Sequence, residues 1–488
     1  MNLLKILSIF FIILILFLFP FGIISYSGNK IYYIIFTIIS TYSLLVSFGK
    51  NSISFDTFFA LLLWLGFWFK FTVQISFLNN LFPEGAGIFD FKPESFDGVL
   101  KISIISIFAF LLARIFRSKF IFNYENFEID KYKNQNSFKF YSQYRNIIFF
   151  SYIIIIFLIG IINYKYVFFQ KGTIPKTILP FGLNNFINWL LMFGLTSLSS
   201  ILIFFEFFYK KKNSNKILKY GILETFISSI SILSRAMIFN ATSLIYGFYK
   251  LVDFSEIKVI KKKFINYFLI LIVLFIISLF VVSKMRQSND FPIGHETHKY
   301  LPQIETETES KLITSINSTI NSTTREINQI LFLIAGRWVG VEGVMAVYSN
   351  KEVGYEFFIN SFYDKFDYSN SYYENKVKKS KHIYLNDPKI YTVYVPGIVA
   401  FLFYTKSIVF LFIGIFLLTL ICSVIEYLSF RLSFNNIIFS SVIGNVLAYR
   451  LAHFGYMPQN SYKLLFSILF TIGLVYLILI ILNKSKIK

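Results

Sequence analysis

Long runs of apolar residues, separated by short polar stretches, follow one another along most of the chain. A run of about 20 apolar residues is long enough to cross a bilayer as a helix. The pattern predicts twelve spans, at 3–24, 31–48, 54–78, 99–116, 147–168, 186–208, 217–234, 236–251, 265–283, 397–425, 434–452 and 461–482. The seventh and eighth are short, and this pair could be partly re-entrant. The pattern therefore predicts an all-α polytopic membrane protein.

One long polar interruption divides the chain. Residues 1–283 would form nine transmembrane helices, 284–395 a large loop, and 396–488 three more transmembrane helices. Loops longer than about 15 residues are usually functional or disordered. The middle of this loop alternates polar and apolar residues at roughly helical spacing, so we expect one or two amphipathic helices lying on or dipping into the bilayer.

Composition and charge agree with a membrane protein. The chain is 56% hydrophobic and only 15% charged, less than a soluble protein of 488 residues would carry. The net charge of +21 comes from short loops, with five Lys and no acid in 210–219, whereas 284–395 holds 13 basic and 13 acidic residues. Lys and Arg are retained on the cytoplasmic side. We therefore expect both termini inside, the long loop outside, and no nucleic-acid partner.

Arg235 falls at the outer turn between the seventh and eighth spans, in the sequence SRAMIF. A guanidinium facing lipid near a helix centre costs about 2.5–3.5 kcal/mol, so a polar cavity is the more favourable environment. A permanently charged, planar donor at that depth suits an anionic group such as phosphate. The alternative is that its head simply reaches the outer headgroups.

A second arginine, Arg337, lies in the sequence GRWVGVEGVMAV within the long loop. Gly336, Gly340 and Gly343 would lie along one strip of a helix and permit close approach of another backbone. Glu342 follows five residues later and does not share the face of Arg337, which weakens a local ion pair between them without excluding it.

Arg450 and His453 are three residues apart, on one helical face at the outer end of the eleventh span. A histidine beside a permanent cation tends to be neutral and able to accept a proton. The alternative is a boundary helix that ends before Pro458. Arg286 closes the ninth span and could equally be a flanking anchor. His295 and His298 lack a third ligand, so we predict no metal site, and no cofactor motif is present.

Together these features resemble the O-antigen polymerase group, the repeat-unit polymerases of bacterial surface glycans. The resemblance rests on about twelve spans, Arg235 at the turn of a tight helix pair, and a very long outer loop late in the chain. It also rests on the short sequences GRWVGVEGVMAV, YVPGIVAFLFYTKSIVFLFIGIF and AYRLAHFGYMP.

The resemblance implies metal-independent and cofactor-independent transfer of a glycan from a polyprenyl-pyrophosphate carrier at the outer face of the bacterial cytoplasmic (inner) membrane. Arg235 and Arg337, with Arg450 and Arg286 as weaker additions, would hold the pyrophosphate. His453 or Glu342 would accept the proton of the acceptor hydroxyl. Membrane lipid, a chain-length regulator and a flippase of the same pathway would be the partners.

Three other functions stay open from the sequence. An O-antigen ligase would share the architecture and the leaving group but use a lipid A-core acceptor. A lipid-linked oligosaccharide flippase or transporter would carry charges through the depth of the bundle, whereas most notable charges here lie at the outer boundary. A polyprenyl-phosphate-sugar transferase would need an acid in its first outer loop, and the loop SYSGNK has none.

Overall fold

The chain folds into helices and connecting turns. The computed structural model describes residues 3–49, 51–78, 86–124, 135–171, 175–209, 215–234, 237–254, 262–288, 335–336, 338–363, 377, 395–455 and 461–484, with no strand in these ranges. The helices are α1 (Leu3–Ser25), α2 (Lys30–Ser47), α3 (Ser54–Phe77), α4 (Pro93–Ile121), α5 (Asn136–Tyr166), α6 (Pro180–Tyr209), α7 (Asn215–Ser231), α8 (Ile238–Phe254), α9 (Lys262–Ser288), α10 (Val341–Ser349), α11 (Tyr355–Phe362), α12 (Ile398–Leu402), α13 (Ile408–Leu432), α14 (Ile437–Ala452) and α15 (Ser461–Lys484).

Eight of the described helices, α1 to α6 with α13 and α15, are long and apolar enough to cross a bilayer. In the most apolar 18-residue stretch of α3, 83% of the residues are buried inside the protein. In the corresponding stretches of α1 and α5, only 17% and 22% of the residues are buried. Apolar helices that leave most of their surface outside the protein need lipid as solvent. The prediction of an all-helical, multi-pass membrane protein is confirmed. Twelve crossings and their orientation stay predictions.

Helix α14 lies at the centre of the bundle and packs against α3 and α8. Small residues allow the close approach to α8, since a Cβ on Gly247 would lie 2.8 Å from Ile438 Cα. The hydroxyl of Ser441 donates to the Ser243 carbonyl across this contact at 2.9 Å. Small and hydroxyl-bearing residues are typical of helix contacts in membranes, where packing and hydrogen bonds replace the hydrophobic effect.

A buried ion network occupies the end of the bundle where α3 begins and α4 ends, which we call the charged end. Arg117 donates to Asp56 at 2.5 Å, and both side chains are fully buried. Glu426 of α13 accepts the backbone N–H groups of Ser54 and Phe55, at 2.9 and 2.6 Å. A carboxylate at a helix N-terminus complements the helix dipole, so this contact fixes the start of α3.

The tenth predicted span, 397–425, was wrong as a single helix. Helix α12 is short and runs through a 3₁₀ turn to Lys406, whose φ of 57° is left-handed. The Ser407 side chain then accepts from the Phe410 N–H and caps the start of α13. The polar residues Thr405, Lys406 and Ser407 mark the turn, but apolar residues continue on both sides and this short gap was included in one span.

The helix pair predicted around Arg235 is observed as α7, which ends at Ser231, and α8, which begins at Ile238. In the predicted loop 284–395, the described helices are α10 and α11. Helix α10 packs against α4 and α12 with Val344 and Ala346 fully buried, so it is part of the helical bundle, and its position relative to the bilayer stays a prediction.

Candidate functional site

The end of the bundle opposite the charged end receives the docking segment, which we define as residues 335–336 and 338–349. Lys70 of α3 is 2% exposed and points into it. Its ammonium donates to the carbonyls of Gly336 and Trp338, both at 2.9 Å, and pairs with Glu342 at 2.7 Å. A single buried lysine therefore holds the peptide groups on either side of position 337.

The partner of Glu342 is thus Lys70, in a helix distant in sequence. Glu342 also accepts from the Gln74 amide at 3.1 Å, and Lys70 and Gln74 lie four residues apart on one face of α3. Sequence reasoning missed Lys70. The available signal was a lysine inside the apolar run 54–78, because intramembrane charges usually have a partner or a function.

The docking segment approaches α3 at backbone distance. A Cβ on Gly66 would lie 2.0 Å from the Val339 carbonyl oxygen, and one on Gly340 would lie 2.4 Å from the Gly66 carbonyl oxygen. A Cβ on Gly343 would lie 2.1 Å from the Pro396 carbonyl oxygen. The predicted close backbone approach is observed at Gly340 and Gly343, but the single helical strip was wrong, because Gly340 precedes α10 and Gly336 lies in a turn. Gly66 lies in a π-helical turn of α3, a feature frequent at functional sites.

Lys406 holds the other end of α10. Its ammonium donates to the carbonyls of Val347 and Tyr348, at 2.6 and 2.8 Å. A cation at a helix C-terminus satisfies free carbonyls and complements the dipole. Helix α10, with Glu342 in its first turn, is therefore fixed at one end by Lys70 of α3 and at the other by Lys406 of the turn before α13.

A series of aromatic contacts joins the docking segment to α8 and α14. The ring centroid of Trp338 lies 6.0 Å from that of Phe239, in the first turn of α8. The ring centroid of Phe239 lies 6.0 Å from that of Tyr449, near the end of α14. Tyr449 stacks on His453 at 4.1 Å. The Asn445 amide also donates to the Phe239 carbonyl at 3.1 Å. Three segments that are far apart in sequence therefore meet at one place.

His453 follows the last residue of α14 and is partly buried. Its Nδ1 lies 2.9 Å from the Tyr449 carbonyl oxygen, which can only accept, so Nδ1 carries the proton. Burial, with a smaller contribution from nearby Lys171 and Arg450, lowers the pKa of His453 to about 4. The neutral ring then presents Nε2 with a free lone pair, the tautomer that can accept a proton.

The other candidate residues divide into two groups. Arg450 is partly exposed, one turn before His453, and within the described ranges no carboxylate lies at ion-pair distance from it. Arg235 and Arg337 lie outside the described residues, as does the side chain of Arg286, whose backbone belongs to α9. The described neighbours of Arg337, Gly336 and Trp338, belong to the docking segment.

This end of the bundle thus carries a carboxylate on α10 that is held by Lys70 and Gln74, together with an arginine and a neutral imidazole at the end of α14. Three of the predicted site residues, Glu342, Arg450 and His453, lie at this end of the bundle, and their roles stay predictions. Comparison with known proteins finds no family model, no curated protein and no solved structure that matches this chain.

Proposed function

We propose that the protein polymerises oligosaccharide repeat units carried on polyprenyl pyrophosphate at the outer face of the cytoplasmic membrane. The observation that supports this is the meeting of the docking segment, the first turn of α8 and the end of α14. These are the regions that carry the sequences GRWVGVEGVMAV, SRAMIF and AYRLAHFGYMP. These three regions, with the sequence YVPGIVAFLFYTKSIVFLFIGIF, are the ones on which the glycan-specific resemblance rests.

In the proposed reaction, the hydroxyl oxygen of the acceptor sugar attacks the anomeric carbon of the donor, and the bond from that carbon to the pyrophosphate oxygen breaks. Arginines near the headgroup plane hold the pyrophosphate and stabilise its charge as it leaves. His453 accepts the proton of the attacking hydroxyl through Nε2. Glu342 is the weaker choice of base because its carboxylate already binds Lys70 and Gln74.

The proposed clamp is tested by Arg235→Ala and Arg337→Ala. We expect each variant to accumulate single lipid-linked repeat units in place of polymer, with chain growth reduced about 100-fold or more, because one charge-stabilising donor contributes roughly 10²–10³ in rate. The measurement is the length of lipid-linked glycan in cells, with protein level determined by immunoblot.

Arg431→Ala is the matched control, because Arg431 is an exposed arginine near the end of α13 that belongs to the charged end. Cells that carry Arg431→Ala should make glycan polymer of normal length. Long polymer in both clamp variants would show that these arginines do not bind the leaving group. Lipid-linked units that remain on the inner leaflet would show that the protein is a flippase.

The role of His453 predicts an unusual pH dependence. A general base works in its deprotonated form, and the pKa of His453 is lowered from 6.5 to about 4. Polymerisation by protein in reconstituted vesicles should therefore stay constant as the pH falls through 6.5 and decline only nearer 4. His453→Gln should lower the rate at every pH. A decline centred near 6.5 that persists in His453→Gln would exclude His453 as the base.

A further inference from the structure

Four carboxylates are fully buried in the described part of the chain, and one of them differs from the rest. Asp56 binds Arg117, and Glu206 binds Arg145 at 2.6 Å. Glu426 accepts two backbone N–H groups at the start of α3. Glu224, on α7, is 0% exposed and its described partners are neutral hydroxyl groups only.

The immediate contacts of Glu224 come from two helices. The hydroxyl of Thr196, on α6, lies 3.0 Å from one carboxyl oxygen, and that of Ser228, one turn along α7, lies 2.9 Å from the other. Hydroxyl groups can donate or accept, so these contacts suit a carboxylic acid as well as a carboxylate.

The described side chains of the other helices packed against α7 supply no compensating charge. Tyr152 of α5 is a titratable side chain that interacts electrostatically with Glu224, and its hydroxyl is bound to Ser199. Asn240 of α8 and Ser278 of α9 are polar groups on the remaining two neighbours. Among the described side chains of these helices, no lysine, arginine or histidine lies at ion-pair distance from Glu224.

An ionised carboxylate without a cation is far less stable in a membrane interior than the neutral acid, because the hydroxyl groups replace only part of its hydration. We propose that Glu224 is held as a neutral carboxylic acid and forms a proton-binding site within the membrane domain. The site does not depend on the function proposed above, and it would react with a hydrophobic carbodiimide.

That modification needs no further reagent. The acid O–H adds across one C=N bond of the carbodiimide, with the proton moving to nitrogen and the carboxyl oxygen bonding to carbon. The O-acylisourea formed then rearranges to a stable N-acylurea. Ionised carboxylates paired with a cation, such as Glu206 with Arg145, lack the proton that begins this addition.

Hydrogen bonds connect the proposed site to the first turn of α8. Thr196 lies 3.4 Å from the Asn240 amide, which also donates to the Met192 carbonyl at 2.8 Å. Met192 lies in the π-helical turn of α6, and Asn240 is adjacent to Phe239. A change in the protonation of Glu224 would therefore reach the place where α8 contacts the docking segment.

Infrared spectroscopy of the purified full-length protein at about pH 7 tests the proposal directly. We expect the carbonyl stretch of a protonated carboxylic acid in the wild type, its loss in Glu224→Gln and its retention in Glu206→Gln. Both substitutions are nearly isosteric, and thermal unfolding shows whether each variant is folded. Identical wild-type and Glu224→Gln spectra in this region would overturn the proposal.

Labelling of the wild type with dicyclohexylcarbodiimide, followed by peptide mass spectrometry, needs no variant. We expect the N-acylurea on Glu224. Modification of Glu206 or Glu426 with Glu224 untouched would overturn the proposal. Protection of Glu224 by Na⁺ at constant pH would also overturn it, because the site would then bind a monovalent cation in place of a proton.

Discussion

Lys70→Met should be among the most damaging single substitutions in the chain. Methionine fills a similar volume but removes the cation that pairs with Glu342 and the donor that binds the carbonyls of Gly336 and Trp338. Breaking a buried ion pair from one side costs about 3–5 kcal/mol, because the other charge is left buried and uncompensated. We expect lower thermal stability of the purified protein and loss of the proposed polymerase activity.

A double-mutant cycle separates the energy of the interaction between Lys70 and Glu342 from the effect of each substitution alone. Glu342→Gln alone leaves the lysine uncompensated, whereas Lys70→Met with Glu342→Gln removes both charges together. Replacing a whole buried ion pair by neutral groups is often close to neutral in stability. The double variant should therefore be more stable than Lys70→Met, with a coupling energy within the roughly 0.5–3 kcal/mol expected of residues in contact.

Lys101→Met provides the control for this cycle, because Lys101 is an exposed lysine of α4 whose ammonium lies 4.7 Å from the Tyr32 ring centroid. Its unfolding temperature should change little, as expected for a surface substitution. If Lys70→Met unfolded at the wild-type temperature, the ion pair with Glu342 would not be what holds the docking segment.

Stability and activity then give separate information. If the double variant recovers its unfolding temperature but not its polymer, Lys70 acts on the geometry around position 337, since its two carbonyl contacts are not restored by removing the charges. If both recover, the contribution of Lys70 is neutralisation of Glu342 alone.

The hydropathy pattern predicted the helices well, because a transmembrane helix is a local feature of the sequence. Apolar runs of sufficient length mark α1 to α6, and polar residues such as Asn29 and Asn436 cap the starts of α2 and α14. The pattern failed at Lys406, where a turn interrupts an apolar run that continues on both sides. Hydropathy over a span-length stretch detects solvent preference, and three polar residues, Thr405 to Ser407, are too few to divide such a stretch.

The candidate site was predictable only in part, because its contacts join distant residues. Arg450 and His453 could be proposed together because they are three residues apart in sequence, and the structure places them in and just after the last turn of α14. Gln74 and Glu342 are 268 positions apart in the sequence, and the contact between Gly66 and Gly340 joins residues that are similarly far apart in sequence. Nothing in the local sequence around Lys70 or Glu342 indicates that such distant residues are in contact, so their pairing could not be predicted.

The contact between Gly66 and the docking segment gives the second large effect. In Gly66→Ala the new Cβ would lie 2.0 Å from the Val339 carbonyl oxygen and 2.9 Å from its carbon. These are backbone atoms, which cannot turn aside as a flexible side chain can. Alanine favours a helix over glycine by about 1 kcal/mol, whereas overpacking costs about 1–3 kcal/mol or more. The net effect should be destabilisation and displacement of the docking segment from α3.

Displacement can be measured by thiol labelling, because Cys422 is the one native cysteine and Cys422→Ser provides a cysteine-free background. Ala346→Cys in that background places a thiol at a position that is 0% exposed within α10. We expect slow labelling in the parent and at least several-fold faster labelling with Gly66→Ala. Gly354→Ala is the matched control, since a Cβ there meets nothing within 4 Å. Equal labelling rates in the two alanine variants would show that the backbone contact at Gly66 does not hold the segment in place.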